Sequence, residues 1–295
     1  MRQVKTVTSA FLRFPALPKA ADWSLVCFTL MTQSAVGLVF LDMAGNWCSS
    51  VVQTDMSFRT VALAFGLTSA GLLAALTHLA APRHAPHALR NTAASWLSRE
   101  ALLVPMFALA LVLSMAAERL GASGAPSVLK FAALLLGCSA LWAMIKVYLL
   151  ETVPAWNTPA TALEFIGSAL LLGGALSIVA AFFGSAAALG WKPAFTVAVI
   201  GMCLGLIIKL AAIYPGMAAE CAAQDQVWYQ PPASILSAGQ SRAIRSVLNM
   251  IGVVLILAAA HRGWPSVLFP GFGILVVGEV IGRLRFYRRY GRIGL

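Results

Sequence analysis

The chain has 295 residues, 60% of them hydrophobic and 11% charged, with a mean hydropathy of +0.85. A soluble domain carries about 25% charged residues, so a soluble enzyme or free binding module is excluded. The net charge of +11 does not indicate nucleic acid, because the basic residues stand at the ends of apolar runs and form no continuous stripe. The expected surroundings are membrane lipid, with no nucleic-acid partner.

A helix needs roughly 20 apolar residues to cross about 30 Å of hydrocarbon. Stretches near that length are predicted, in chain order, at 24–41, 61–80, 97–117, 128–149, 162–183, 195–213, 243–260 and 266–283. They imply an all-α, polytopic membrane protein with about eight transmembrane helices, one integral membrane domain over 1–295. A basic segment, 1–23, carries Arg2, Lys5, Arg13 and Lys19 ahead of the first span. The first apolar run has no convincing cleavage site, so a retained span is expected and not a signal peptide. Eight spans allow a division into two bundles of four, although no internal repeat stands out. Connections are short and punctuated by Pro, Gly and Asn; the longest loops are predicted at 82–96 and 215–241.

About 16 of the 21 Lys and Arg residues fall on the side shared with the N-terminus. Both termini are therefore expected to face the cytoplasm. Ionisable residues in the spans gather on that same side. They are His78, Glu100, Lys146, Glu164, Lys209, and the pair Glu279 and Arg283, whose spacing puts them on one helix face. The opposite side offers Glu118, Arg119 and Lys130. Charges that hug one surface argue against a secondary transporter, which binds near the bilayer midplane between broken helices.

Bland roles stand beside these. Glu279 and Arg283 are expected to form a structural ion pair within their helix, and Lys146 and Lys209 can simply snorkel to headgroups. Gly201 with Gly205, and Gly278 with Gly282, have the spacing of close-packing helix faces. Trp156, Trp191, Trp228 and Trp264 suit an interfacial belt. His78, with Pro82 closing its helix, can exchange protons near neutral pH or merely cap the helix end.

Five cysteines, Cys27, Cys48, Cys138, Cys203 and Cys221, are scattered singly, so no iron–sulfur or zinc site is expected. Of the four histidines, His84 and His87 fall in a loop and His261 across the bilayer from His78. No bis-histidine pair can be assembled, so no haem is expected.

Several segments resemble a known family. The run His78-Leu79-Ala80-Ala81-Pro82-Arg83, then Ser95-Trp96-Leu97-Ser98-Arg99-Glu100, is similar to the signature of the membrane anchor subunit of dimethyl-sulfoxide reductase. The loop Val153-Pro154-Ala155-Trp156-Asn157-Thr158-Pro159 followed by Glu164-Phe165, and the ending from Gly278 to Tyr287, resemble the family's fourth connection and last helix. The chain departs from the pattern at Ala80, where the family usually has Gly, and at Arg83, which directly follows Pro82.

The resemblance implies an anchor in the bacterial inner membrane that binds quinone or quinol. It would hold an iron–sulfur subunit wired to a molybdopterin catalytic subunit, with no haem, cluster or molybdenum of its own. It implies His78 as hydrogen-bond partner of the quinone, Glu100 as the path for protons to water and Arg83 as a tuner of the local field. Trp156, in the loop 151–160, would lid the pocket or touch the partner. Related anchors serve sulfite-oxidising complexes, so an anchor of a cytoplasm-facing sulfite dehydrogenase is the alternative. A transporter is the rival from another class, and a purely structural anchor the third.

Overall fold

The structure is a computed structural model, and it describes residues 20–48, 58–77, 90–182, 193–224 and 237–288. His78, Arg83, His84, His87, Trp191 and Trp228 lie outside the described residues. Among the described residues the chain forms helices and no strand. These are α1 (Ala20–Trp47), α2 (Phe58–Thr77), α3 (Trp96–Arg119), α4 (Ala125–Tyr148), α5 (Pro159–Phe182), α6 (Pro193–Ala211), α7 (Ile213–Gln224), α8 (Ala238–Arg262) and α9 (Pro265–Arg288). In lipid only a helix meets every backbone N–H and C=O within one segment, so long apolar runs have no other local solution.

Helix ends follow local chemistry. Ser237 and Gln240 form a reciprocal capping box that opens α8, and Gly263, at φ 68°, closes it in the left-handed conformation. Among the described residues eight spans are long and apolar enough to cross a membrane, and the protein is a multi-pass membrane protein. The sixth, Ala194–Cys221, combines α6 and α7 across a break at Ala212. The predicted loop 215–241 is thus corrected at its start, because the chain stays helical to Gln224. Pro215 stands in the first turn of α7, where a missing N–H costs nothing.

The spans form two four-helix groups, one of α1 to α4 and one of α5, α6, α8 and α9, as the sequence allowed. The groups are joined, not separate: α1 packs along α5, and also against α6 and α9. Glycines make that seam possible. A methyl at Gly37 would collide with the carbonyl of Ala169, and one at Gly173 with the backbone of Gly37. Lipid tails are as apolar as Leu, so close backbone approach supplies the packing that a hydrophobic driving force supplies in water. The predicted glycine faces behave likewise. Gly205 meets the backbone of Leu171, Gly278 the amide of Asn249, and Gly282 the side chain of Arg245.

Candidate functional site

The start of α3 sets the depth of Glu100. Ser95 caps the helix, accepting from the N–H of Ser98 at 3.3 Å. Arg99 folds back on the preceding turn, donating to the carbonyls of Thr92 and Ala93 at 2.8 and 2.6 Å, with its guanidinium 4.1 Å over Trp96. Lys146 rests over Trp142 at 5.0 Å and 6.0 Å from Trp96, the snorkelling posture expected for it. With Arg99 committed outward, Glu100 turns inward and is only 5% exposed. Among the described residues it makes no hydrogen bond or ion pair.

Glu100 lies within electrostatic reach of Tyr148 and Tyr287. These belong to a buried aromatic group with Trp156, Phe165 and Phe286, ring centroids 5.2 to 5.7 Å apart. The Tyr148 and Tyr287 hydroxyls share a hydrogen bond of 3.1 Å, and Tyr287 meets the Thr29 hydroxyl at 3.2 Å. Trp156 is buried, stacked on Phe286, and donates its indole N–H to the Phe286 carbonyl at 2.8 Å. It is therefore a wedge between a loop and the last helix, which corrects its place in an interfacial belt. Trp264 stands exposed at the head of α9.

Deeper in the second bundle lies a buried ionic network that sequence reasoning resolved only in part. Lys209 on α6 donates to Glu164 at 2.9 Å, to Glu279 at 2.8 Å and to Ser168 at 2.8 Å. Arg245 on α8 closes on Glu164 at 2.5 Å, and Asn249 donates to Glu279 at 2.7 Å. Arg283 donates to Gln33 of α1 at 2.6 Å and stacks over Phe165 at 4.0 Å. The predicted Glu279–Arg283 pair is thus corrected: Glu279 takes Lys209 as its cation, and Arg283 turns to α1. Lys209 does not snorkel, since both carboxylates hold it inside. Gln33, Ser168, Asn249, Tyr148 and Tyr287 were missed. Their one signal was a polar group inside an apolar run.

The network also reaches deeper than expected. Glu279 lies nine residues before the end of α9, about 13–14 Å along its axis, and Asn249 eleven residues into α8, about 16 Å. Both positions stand more than two helical turns from the ends of their helices. A small cleft, with a free volume of about 10 Å³, opens at the α6–α7 break between Thr161, Glu164, Gly216, Arg242 and Arg245. It has room for about one water molecule.

The opposite membrane side carries its own small group. Lys130 pairs with Glu118 at 3.0 Å, Asp42 lies beside Lys130 and Thr60, and Arg119 stacks over Phe58 at 4.3 Å. Asp42 lies nine positions beyond Gln33 along α1, about 13–14 Å, past buried Val36, Leu38, Val39 and Leu41. His261 stands exposed in the last turn of α8, on that far side. Among the described residues no group of His, Cys, Asp and Glu is arranged to hold a metal ion.

The family model for the DMSO reductase anchor subunit (DmsC) matches residues 19–289, nearly the whole chain. The chain belongs to the DMSO reductase anchor subunit family. This anchor is also similar to the anaerobic dimethyl sulfoxide reductase chain YnfH of Escherichia coli (strain K12). The two are 27% identical over 299 residues, which cover 93% of this chain and 96% of that relative. Membership decides between anchor and carrier.

Proposed function

We propose that this anchor exchanges electrons between membrane quinone and an iron–sulfur partner subunit, which connects to a molybdopterin catalytic subunit. The observation that carries this is Glu100, a buried carboxyl inside a membrane span with no partner among the described residues. An unpaired ionisable group within a membrane marks function by default. The buried rings and the Tyr148–Tyr287 hydroxyl pair beside it suit a flat aromatic substrate with polar oxygens. Quinol oxidation yields two electrons and two protons. Glu100 moves protons between the pocket and water, His78 hydrogen-bonds a ring oxygen, and Arg83 biases the local field; for the last two the support is the family resemblance.

Trp156 holds the 151–160 loop against α9 and so fixes the floor on which the partner docks. The charge bias supports placing the site, both termini and the iron–sulfur partner on the cytoplasmic side of the bacterial inner membrane. The relative's name favours a sulfoxide as terminal substrate, while a cytoplasmic catalytic unit suits sulfite oxidation as well. That choice belongs to the catalytic partner.

The test uses the assembled complex. Glu100→Gln and His78→Ala should each lower quinone-linked turnover by roughly 10²-fold or more, the contribution of a positioned acid–base group. Activity with a soluble artificial electron donor should survive in both. Unchanged quinone-linked turnover in both variants would overturn the assignment.

A further inference from the structure

The buried network does not balance its charge. Lys209, Arg245 and Arg283 face two carboxylates, Glu164 and Glu279. Lys209 lies between both carboxylates and Arg245 closes on Glu164, so Arg283 is the cation without an ion pair among the described residues. Its contacts are neutral: the Gln33 oxygen at 2.6 Å, the Ser168 hydroxyl at 3.4 Å and the face of Phe165 at 4.0 Å. Arg283 is only 4% exposed, and Gln33 is fully buried. A guanidinium held this way inside a membrane span is costly.

Two hydrogen-bond donors there are unmet. Among the described residues Nη1 of Arg283 and Nε2 of Gln33 have no partner, although the two side chains are already bonded to each other. Buried donors are nearly always satisfied, so an adjacent unmet pair on a buried cation outlines a place for an oxygen acceptor. The pair borders the buried aromatic group, with the Arg283 guanidinium 4.0 Å over Phe165 and 5.8 Å from the Phe286 ring. Arg283 lies within electrostatic reach of Tyr148 and Tyr287, as Glu100 does, and it approaches them from α9 and α1 while Glu100 approaches from α3. Charge-assisted donors favour an acceptor that carries or gains negative charge.

We propose that Arg283 and Gln33 form a second binding element of the quinone pocket, donating hydrogen bonds to a ring oxygen of the substrate. The proposal rests on the quinone assignment above and adds residues from the first and last spans to it. The rest of the network has a positioning role. Ser168, bonded in turn to Glu279 and Lys209, holds Arg283 in place.

The experiment is equilibrium binding of decylubiquinone and of menadione to the purified complex, read by quenching of tryptophan fluorescence. Quinol KM is measured alongside. Arg283→Gln and Gln33→Leu should each raise Kd about tenfold, near 1.4 kcal/mol, with a matching rise in KM. If Arg283→Gln does not assemble, Gln33→Leu decides, because it leaves Arg283 in place with its Ser168 and Phe165 contacts. Wild-type affinity in assembled variants, with Glu100→Gln still impaired, would mean that the donors serve only a buried water; the inference then fails and the Glu100 site stands. If the wild-type complex binds neither quinone, the quinone assignment fails and this inference with it.

Discussion

Trp156 gives its indole N–H to the carbonyl of Phe286, 130 residues further along the chain, and the two rings lie nearly parallel at 13°. The carbonyl belongs to the last turn of α9, where no intrahelical donor remains to meet it. One side chain therefore closes the helix end and pins the α4–α5 loop to the last span.

Trp156→Phe keeps the stacking and loses the hydrogen bond, so it should cost about 1 kcal/mol. Trp156→Ala also empties a buried volume and should cost about 3 kcal/mol or more. Thermal unfolding of the purified complex in detergent checks the order. Equal midpoints for wild type and Trp156→Ala would show that the wedge does not hold the loop.

Lys209 is the hub of the buried network, because it meets both Glu164 and Glu279. Lys209→Met leaves two buried carboxylates facing each other across Ser168, and breaking such a network by removing one partner costs about 3–5 kcal/mol. Glu279→Gln keeps the shape and leaves Lys209 paired with Glu164, so its loss should be smaller. Unfolding midpoints and the yield of assembled complex should fall in that order; a Lys209→Met variant as stable as wild type would contradict it.

Two glycine substitutions should act in opposite directions. In Gly173→Ala the new methyl meets backbone of Gly37, not a flexible side chain, so α1 and α5 must separate at a cost of about 1–3 kcal/mol. At Gly66 nothing lies within 4 Å of the added atom, and Gly66→Ala should stabilise α2 by up to about 1 kcal/mol. The fraction of monodisperse protein after heating separates them. Loss in both would mean that the α1–α5 seam is not special.

Native cysteines report orientation. Cys48 follows the end of α1 and Cys221 closes the sixth span, on opposite membrane sides, and both are exposed. With the termini in the cytoplasm, an impermeant maleimide added to intact spheroplasts should label Cys48, and Cys221 only after the membrane is opened. The reverse pattern would invert the proposed orientation and move the partner subunits to the other face.

The span count was legible because hydropathy and helix length respond to the same hydrocarbon thickness. The glycine faces were legible for a similar reason, since a helix repeat places Gly201 and Gly205 on one side whatever they meet. Partner choice was not. Glu279 and Arg283 share a helix face, yet Lys209 arrives from α6 and Gln33 from α1, and tertiary neighbours outweigh a spacing worth about 0.2–0.5 kcal/mol. A better signal was present in Gln33 and Asn249, amides inside apolar spans that need a hydrogen-bonding neighbour on another helix. The block from Ser95 to Glu100 was singled out by resemblance, but the inward turn of Glu100 goes with Arg99 holding the previous turn, a contact that spacing does not encode.

The position of α1 bears on how the protein is made. α1 is synthesised before α9, and its Thr29 and Gln33 are bonded to Tyr287 and Arg283 of that later helix. Until the ribosome has delivered the final helix, the Gln33 amide must face lipid or a borrowed neighbour, and a chain truncated after α8 never relieves it. Docking of α9 thus relieves a polar side chain that α1 has carried since it was made.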